Sequence, residues 1–241
     1  MKRALMAEQT KTWFDAQWKR GVANVAGRVL DFGCGTSTEP VCLAQLPGVD
    51  HVYAYDIGMD RQWVQSAIEE YGCADRVTIV IGPDELERLA SASFDTAFCW
   101  NVTEHLECPI AEFERVANLL KPGGLWSIRH HCYYSYMDGH HLLIPFYLDH
   151  ENEEWRHRLQ FGAHLSDSDA FIRTHRHQIR GMTLNMMTLF QVRAFLILAG
   201  FEIVEWEVQH WPDTTGIPRS LDISELDATA AHLHVVARKE P

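Results

Sequence analysis

Between residues 28 and 132 short apolar runs alternate with longer amphipathic ones. "RVLDF", "HVYAYDI", "RVTIVIG", "FDTAFCW" and "GGLWSIRHHC" are β-branched or aromatic and bounded by turn residues, so they read as strands. Between them "STEPVCLAQL", "RQWVQSAIEEYG", "DELERLA" and "PIAEFERVANLL" space their apolar positions as helices do; the first stops at Pro47 and Gly48. Strand and helix in strict alternation predict βαβ units, whose parallel strands need right-handed crossovers.

The rhythm breaks after residue 132. Residues 133–185 are rich in aromatic, histidine and arginine side chains and read as an insertion. Regular patterning then resumes with a helix, "TLFQVRAFLILAG", and two strands, "FEIVEWEVQ" and "AAHLHVVARK". No helix is expected between those two strands, so they are predicted to pair antiparallel at the sheet edge. A leading amphipathic helix over residues 4–20 places Leu5, Trp13 and Trp18 among polar neighbours. The predicted organisation is one domain over 1–241. It comprises an N-terminal helix (1–27), a ligand-binding core (28–132), a helical or irregular substrate cap (133–185) and a closing helix with its strand pair (186–241).

Composition narrows the functions available to such a fold. The net charge of -12 is wrong for gripping a phosphate backbone, which requires Lys and Arg to displace counterions, so no nucleic-acid partner is expected. Six cysteines without a CxxC pair imply a reducing compartment. No apolar run approaches the ~18 residues of a membrane helix, and a cytoplasmic protein without a membrane partner is the expectation.

The candidate chemistry starts where the first strand ends, in "VLDFGCGTSTEP". Asp31 closes the strand with a carboxylate, while Gly33 and Gly35 clear side chains from the turn and let a ligand reach the backbone. A dinucleotide fingerprint needs a third glycine; here Thr36, Ser37 and Thr38 follow, and no Tyr-x-x-x-Lys pair is present, which disfavours a nicotinamide oxidoreductase. Asp56 ends the second strand about 20 residues past the glycines, where a carboxylate accepts from ribose hydroxyls. The pairing selects an adenosine-type ligand.

With those motifs the chain resembles the class I S-adenosylmethionine-dependent methyltransferases, in particular the broad group called type 11. "VLDFGCGT", "VYAYDIG", "IGPDELERL", "FDTAFCWNVTEHLECP" and "RVANLLKPGGLWSI" match its motifs in order. The resemblance implies a Rossmann-like doubly wound α/β fold: a seven-stranded sheet with an antiparallel edge strand, plus the cap insertion. It implies S-adenosyl-L-methionine as cofactor, with Asp31, Gly33 and Gly35 around the methionine moiety, Asp56 at the ribose, Asp84 near the adenine amine, Asn101 at the sulfonium end, and Cys34 and Ile57 as further cofactor contacts.

The acceptor site is expected after the fourth and fifth strands. His131, His140 and His141 are candidate general bases, because imidazole titrates near neutral pH, and His130, Tyr134 and Tyr136 are candidate substrate contacts. The competing reading gives adjacent strand histidines one packing and one solvent role. Glu104 and His105 are candidate metal ligands, since some relatives hold a divalent ion there with a preceding Glu; Asn101 in that place weakens the site, and a metal is compatible but not favoured. The expected activity is methyl transfer to oxygen or nitrogen of a small molecule, the alternatives being a metal-assisted methyltransferase or a non-catalytic cofactor-binding module. A homodimer through the cap or edge strand is compatible with the pattern.

Overall fold

The computed structural model describes residues 15–35, 38–132, 185, 187–210 and 225–241. Seven strands form one sheet: β1 (Gly27–Phe32), β2 (Val49–Asp56), β3 (Val77–Ile81), β4 (Phe94–Trp100), β5 (Leu120–His131), β6 (Phe201–His210) and β7 (Ala230–Lys239), in spatial order β3-β2-β1-β4-β5-β7-β6. The first five are parallel, and β7 runs antiparallel to both β5 and β6. The antiparallel strand expected at the edge is therefore β7, one place in, and β6 holds the edge itself. The cause is connectivity: the chain passes the β7 position, lays down β6 outside it, then returns.

The helices are α1 (described over 15–21), α2 (Glu39–Ala44), α3 (Arg61–Glu70), α4 (Gly82–Glu87), α5 (Pro109–Leu119), α6 (Leu189–Leu198) and α7 (Glu225–Thr229). Short α7 leads into β7, where no helix was expected. Local chemistry sets several starts. Asp60 caps α3 by accepting from Gln62 N, Thr188 and Gln191 form a capping box on α6, and Pro lies in the first turn of α2, α4 and α5.

Both sheet faces are covered, which is why the central strands are apolar almost throughout. On one face Phe94, Phe113, Trp126, Leu196 and Phe201 pack with α5 and α6; on the other Val29, Leu43, Val64, Ile68 and Phe98 pack with α2 and α3. Helix α1 extends that second face: Trp18 lies 5.6 Å from the rings of both Phe98 and Trp100. Leu5 and Trp13 lie outside the described residues. Among the described residues no helix is long and apolar enough to cross a membrane.

Candidate active site

The carboxyl ends of the parallel strands open on one cleft, and its floor is backbone. Past Phe32 the chain turns through Gly33 and Gly35, at φ 84° and 56°, in the left-handed region that glycine enters without cost. Gly33 N and Cys34 N both donate to Tyr55 O, at 2.8 and 2.9 Å, which ties the turn to the end of β2. A Cβ on Gly33 would stand 2.4 Å from a methyl carbon of Val102, so the turn and the loop after β4 meet only because that side chain is absent.

Asp56 closes this floor. Its Oδ2 accepts from Gly35 N at 3.0 Å and its Oδ1 from Gly58 N at 2.9 Å. Each oxygen keeps a second acceptor position, so the carboxylate is fixed in direction and still open to two hydroxyl donors. Next to it Ile57 is 78% exposed, an apolar side chain held in the open beside a charge. The cleft, about 620 Å³, is lined by Phe32, Gly33, Asp56, Ile57, Asn101 and His105 among others, a size suited to one small ligand.

Asp31 lies beneath, 1% exposed, with neither carboxylate oxygen hydrogen-bonded among the described residues. Burial first, then the charges of Glu39 and Asp56, hold its carboxyl well above the ordinary range. An acceptor so placed calls for a donor from outside the described residues, such as an ammonium group.

The wall opposite is the loop after β4. Asn101 has φ 54°, its N–H donates to Arg129 O at 2.8 Å, and its Oδ1 accepts from the Arg129 guanidinium at 2.6 Å. Arg129, 7% exposed, also stacks 4.7 Å over the Trp100 ring. Below the loop Thr103 Oγ1 and His130 Nδ1 are 2.8 Å apart, and Glu104 Oε2 lies 3.7 Å from the same imidazole. Burial lifts the Glu104 carboxyl to about 8 and presses His130 down to about 3, so both are neutral at pH 7. Asn185, the last residue of the insertion and the one described there, donates its side-chain amide to Thr103 O and Leu106 O at 2.6 and 3.0 Å.

Strands β5 and β7 add a polar row on the α1 side of the sheet. Register places Arg129 opposite His234 and His131 opposite His232, and the latter two rings are 4.7 Å apart. All four side chains are buried. Glu39, at the start of α2, is lifted to about 7 by burial against the lowering pull of Arg129.

The structure thus gathers Asp31, Gly33, Gly35, Asp56, Ile57 and Asn101 around the ends of β1, β2 and β4. Cys34 contributes backbone only, its thiol turned inward to Met59 Sδ at 3.8 Å. Asp84 is exposed on α4 and absent from the cleft lining. His130 is fully buried on the α5 side, under the loop rather than in the cleft, and His131 faces the other side. Glu104 turns to His130 while His105 lines the cleft, so the two candidate metal ligands diverge; among the described residues no three His, Cys, Asp or Glu side chains converge. His140, His141, Tyr134 and Tyr136 lie outside the described residues. Arg129, Glu39, Asn185, His232 and His234 were not singled out from the sequence. Alternation alone aligned Arg129 and His131, but pairing them with His232 and His234 needed the β5–β7 register.

A family model described as "Methyltransferase domain" matches residues 5–205. The chain belongs to the methyltransferase-domain family. Its class I fold is shared with a solved S-adenosylmethionine-dependent methyltransferase from Mesorhizobium loti (TM-score 0.59, 20% identity, 93% of this chain and 98% of that one). It is also shared with the cyclase SpnF (TM-score 0.60, 15% identity, 94% and 80%), so likeness at this level speaks for fold alone. Among curated proteins it is 32% identical over 109 residues to a ubiquinone biosynthesis O-methyltransferase of Paracidovorax citrulli, covering 44% of this chain and 45% of that protein. The chain spans about half the length of the curated relatives it matches. The cofactor of this methyltransferase family is S-adenosylmethionine, and the residues present fit it: an unpartnered buried carboxyl for an ammonium, an oriented carboxylate for a diol, an exposed aliphatic surface for a flat base.

Proposed function

We propose that this chain methylates a hydroxyl group of a small molecule with S-adenosylmethionine as donor. The observation that carries the reading is the Asp56 carboxylate, aimed by two turn amides and flanked by exposed Ile57, because that pair matches a ribose diol and the face of an adenine. Asp31 and the glycine turn take the amino-acid end. The cofactor supplies an activated methyl carbon, so the protein needs only to align the acceptor and take its proton. His140 and His141 are the candidate bases; His131, the third, is buried against His232 on the α1 face and is not part of the cleft lining. The curated relatives are named O-methyltransferases, which supports oxygen over nitrogen as the acceptor atom. Cleft size and the family's curated names support a small acceptor rather than a macromolecule.

Two measurements on the full chain test this. Calorimetric titration with S-adenosylhomocysteine is expected to show micromolar binding that Asp56→Ala weakens. A panel of phenols and amines, incubated with S-adenosylmethionine and followed by release of S-adenosylhomocysteine, is expected to give turnover with hydroxylated compounds. Absent binding sinks the reading; binding without turnover across the panel favours a non-catalytic module.

A further inference from the structure

We infer that Arg129 is a positioning residue that turns the Asn101 amide so that its NH2 group faces the cleft, and that the acceptor is therefore held there as an oxygen anion. The inference rests on the methyltransferase reading and narrows its acceptor.

A guanidinium has five N–H donors and no acceptor, so the Asn101 atom 2.6 Å from it has to be the carbonyl oxygen. The backbone repeats the constraint, with Asn101 N–H donating to Arg129 O and the residue locked in a left-handed conformation that few side chains accept. With Oδ1 engaged, Asn101 has only its two Nδ2 donors left, and among the described residues these make no hydrogen bond. Asn101 lines the cleft, so they are presented to its contents.

Two donors beside a buried guanidinium favour a lone pair carrying negative charge at this point of the cleft, while Asp56, Glu107 and Glu112 line the rest of it and leave the positive sulfonium its own counter-charges. Arg129 cannot swing away to reverse this. It is held by Asn101, by stacking on Trp100 and by proximity to Glu39. An amine acceptor would present an N–H to these donors; a phenolate or enolate presents lone pairs. In the transfer itself an oxygen lone pair forms the O–CH3 bond while the S–CH3 pair returns to sulfur, leaving a neutral thioether and a neutral ether. The phenolic proton leaves beforehand, to a base or to water.

The test uses full-length protein saturated with S-adenosylhomocysteine and para-nitrophenol, whose absorbance reports its own ionisation. The bound phenol is expected to titrate at lower pH than in free solution. Asn101→Asp keeps the shape and replaces two donors by a negative acceptor; phenolate affinity is expected to fall about tenfold or more and the titration to move back up. Arg129→Met is expected to move it in the same direction, and Arg129→Lys, which keeps the charge without the planar fork, to restore part of the shift. The melting temperature of each variant shows that the fold survives, and in Asn101→Asp the S-adenosylhomocysteine affinity is expected to fall clearly less than the phenolate affinity. A phenol that does not bind, titrates as in solution or is indifferent to Asn101→Asp overturns the inference while leaving the cofactor site intact. Equal loss of S-adenosylhomocysteine affinity in Asn101→Asp also overturns it, because the donors would then serve the cofactor. Failure of wild type to bind S-adenosylhomocysteine instead removes the reading beneath it.

Discussion

The two halves of the cleft are built from different materials. The half at β1 and β2 is main chain: turn amides, two left-handed glycines and one carboxylate that those amides aim. The half at β4, β5 and β7 is side chain, in which Arg129, Asn101, Glu104, His130 and Asn185 hold one loop by hydrogen bonds between residues far apart in sequence. A backbone site serves a constant ligand and tolerates change only in residues that do not occupy the turn. A side-chain site is open to revision one residue at a time, which suits a half that selects the acceptor.

Gly33→Ala attacks the backbone half where it has no slack. The substitution places a Cβ 2.4 Å from Val102 at a φ of 84°, so strain of ~1–2 kcal/mol for the left-handed residue adds to ~1–3 kcal/mol for the overlap. The expected result is a melting temperature lowered by several degrees and S-adenosylhomocysteine affinity reduced a hundredfold or more in calorimetry. Gly35→Ala is the internal control: a Cβ there meets nothing within 4 Å, so only the conformational strain remains.

Glu104→Gln probes the side-chain half through pH. The folded carboxyl titrates at about 8 against an ordinary 4.5, so the native state holds a proton that the unfolded chain releases, and stability falls as pH rises from about 4.5 to 8. His130 acts at the other end. Lowered from 6.5 to about 3, it stays neutral while the unfolded histidine takes a proton, and stability is lost as pH falls below about 6.5. Between 4.5 and 6.5 the two slopes cancel. Gln mimics the protonated acid, so the variant is expected to match wild type near pH 5 and exceed it by a few kcal/mol at pH 9, read from urea unfolding across pH. Parallel profiles would show that Glu104 is ionised in the native protein.

The contrast also explains what could be read beforehand. Gly33, Gly35 and Asp56 are legible because their roles follow from local constraints: a turn needs φ above zero, and a strand end points its carboxylate at the turn. The strand and helix alternation gave seven strands and the antiparallel pairing of β6 with β7, since apolar period is a local property. The position of β7 inside β6 was not legible, because order across a sheet is set by tertiary packing. The Arg129–Asn101 contact was missed for the same reason: it joins positions 28 residues apart whose nearness requires β4 and β5 to be neighbours in register. Adjacent histidines looked equivalent in sequence, yet strand alternation sends His130 under the loop and His131 to the α1 face.

Asp56→Ala is expected to weaken S-adenosylhomocysteine about tenfold to a hundredfold, the range for removing hydrogen bonds to a charged acceptor, with a smaller cost in stability from freeing the amides of Gly35 and Gly58. In Asp56→Asn the remaining carbonyl oxygen can accept from one turn amide and one hydroxyl, so one contact of each kind is lost and affinity and melting temperature both fall.

The smallest effect is expected where charge is most conspicuous. Helix α1 covers the row of His232 and His234, and Arg20 reaches from it to Glu207 on the edge strand. Both partners are close to half exposed, so water and salt screen the pair, and its contribution is ~0.5 kcal/mol or less. What holds α1 is Trp18 against Phe98 and Trp100, an apolar contact indifferent to ionic strength. Arg20→Ala is accordingly expected to shift the melting temperature by no more than about 2 °C at low and high salt alike, whereas Trp18→Ala lowers it substantially in both. A large, salt-dependent loss in Arg20→Ala would make α1 an electrostatically latched cover and would place a third kind of material, exposed charge, beside the backbone and buried side chains that build the cleft.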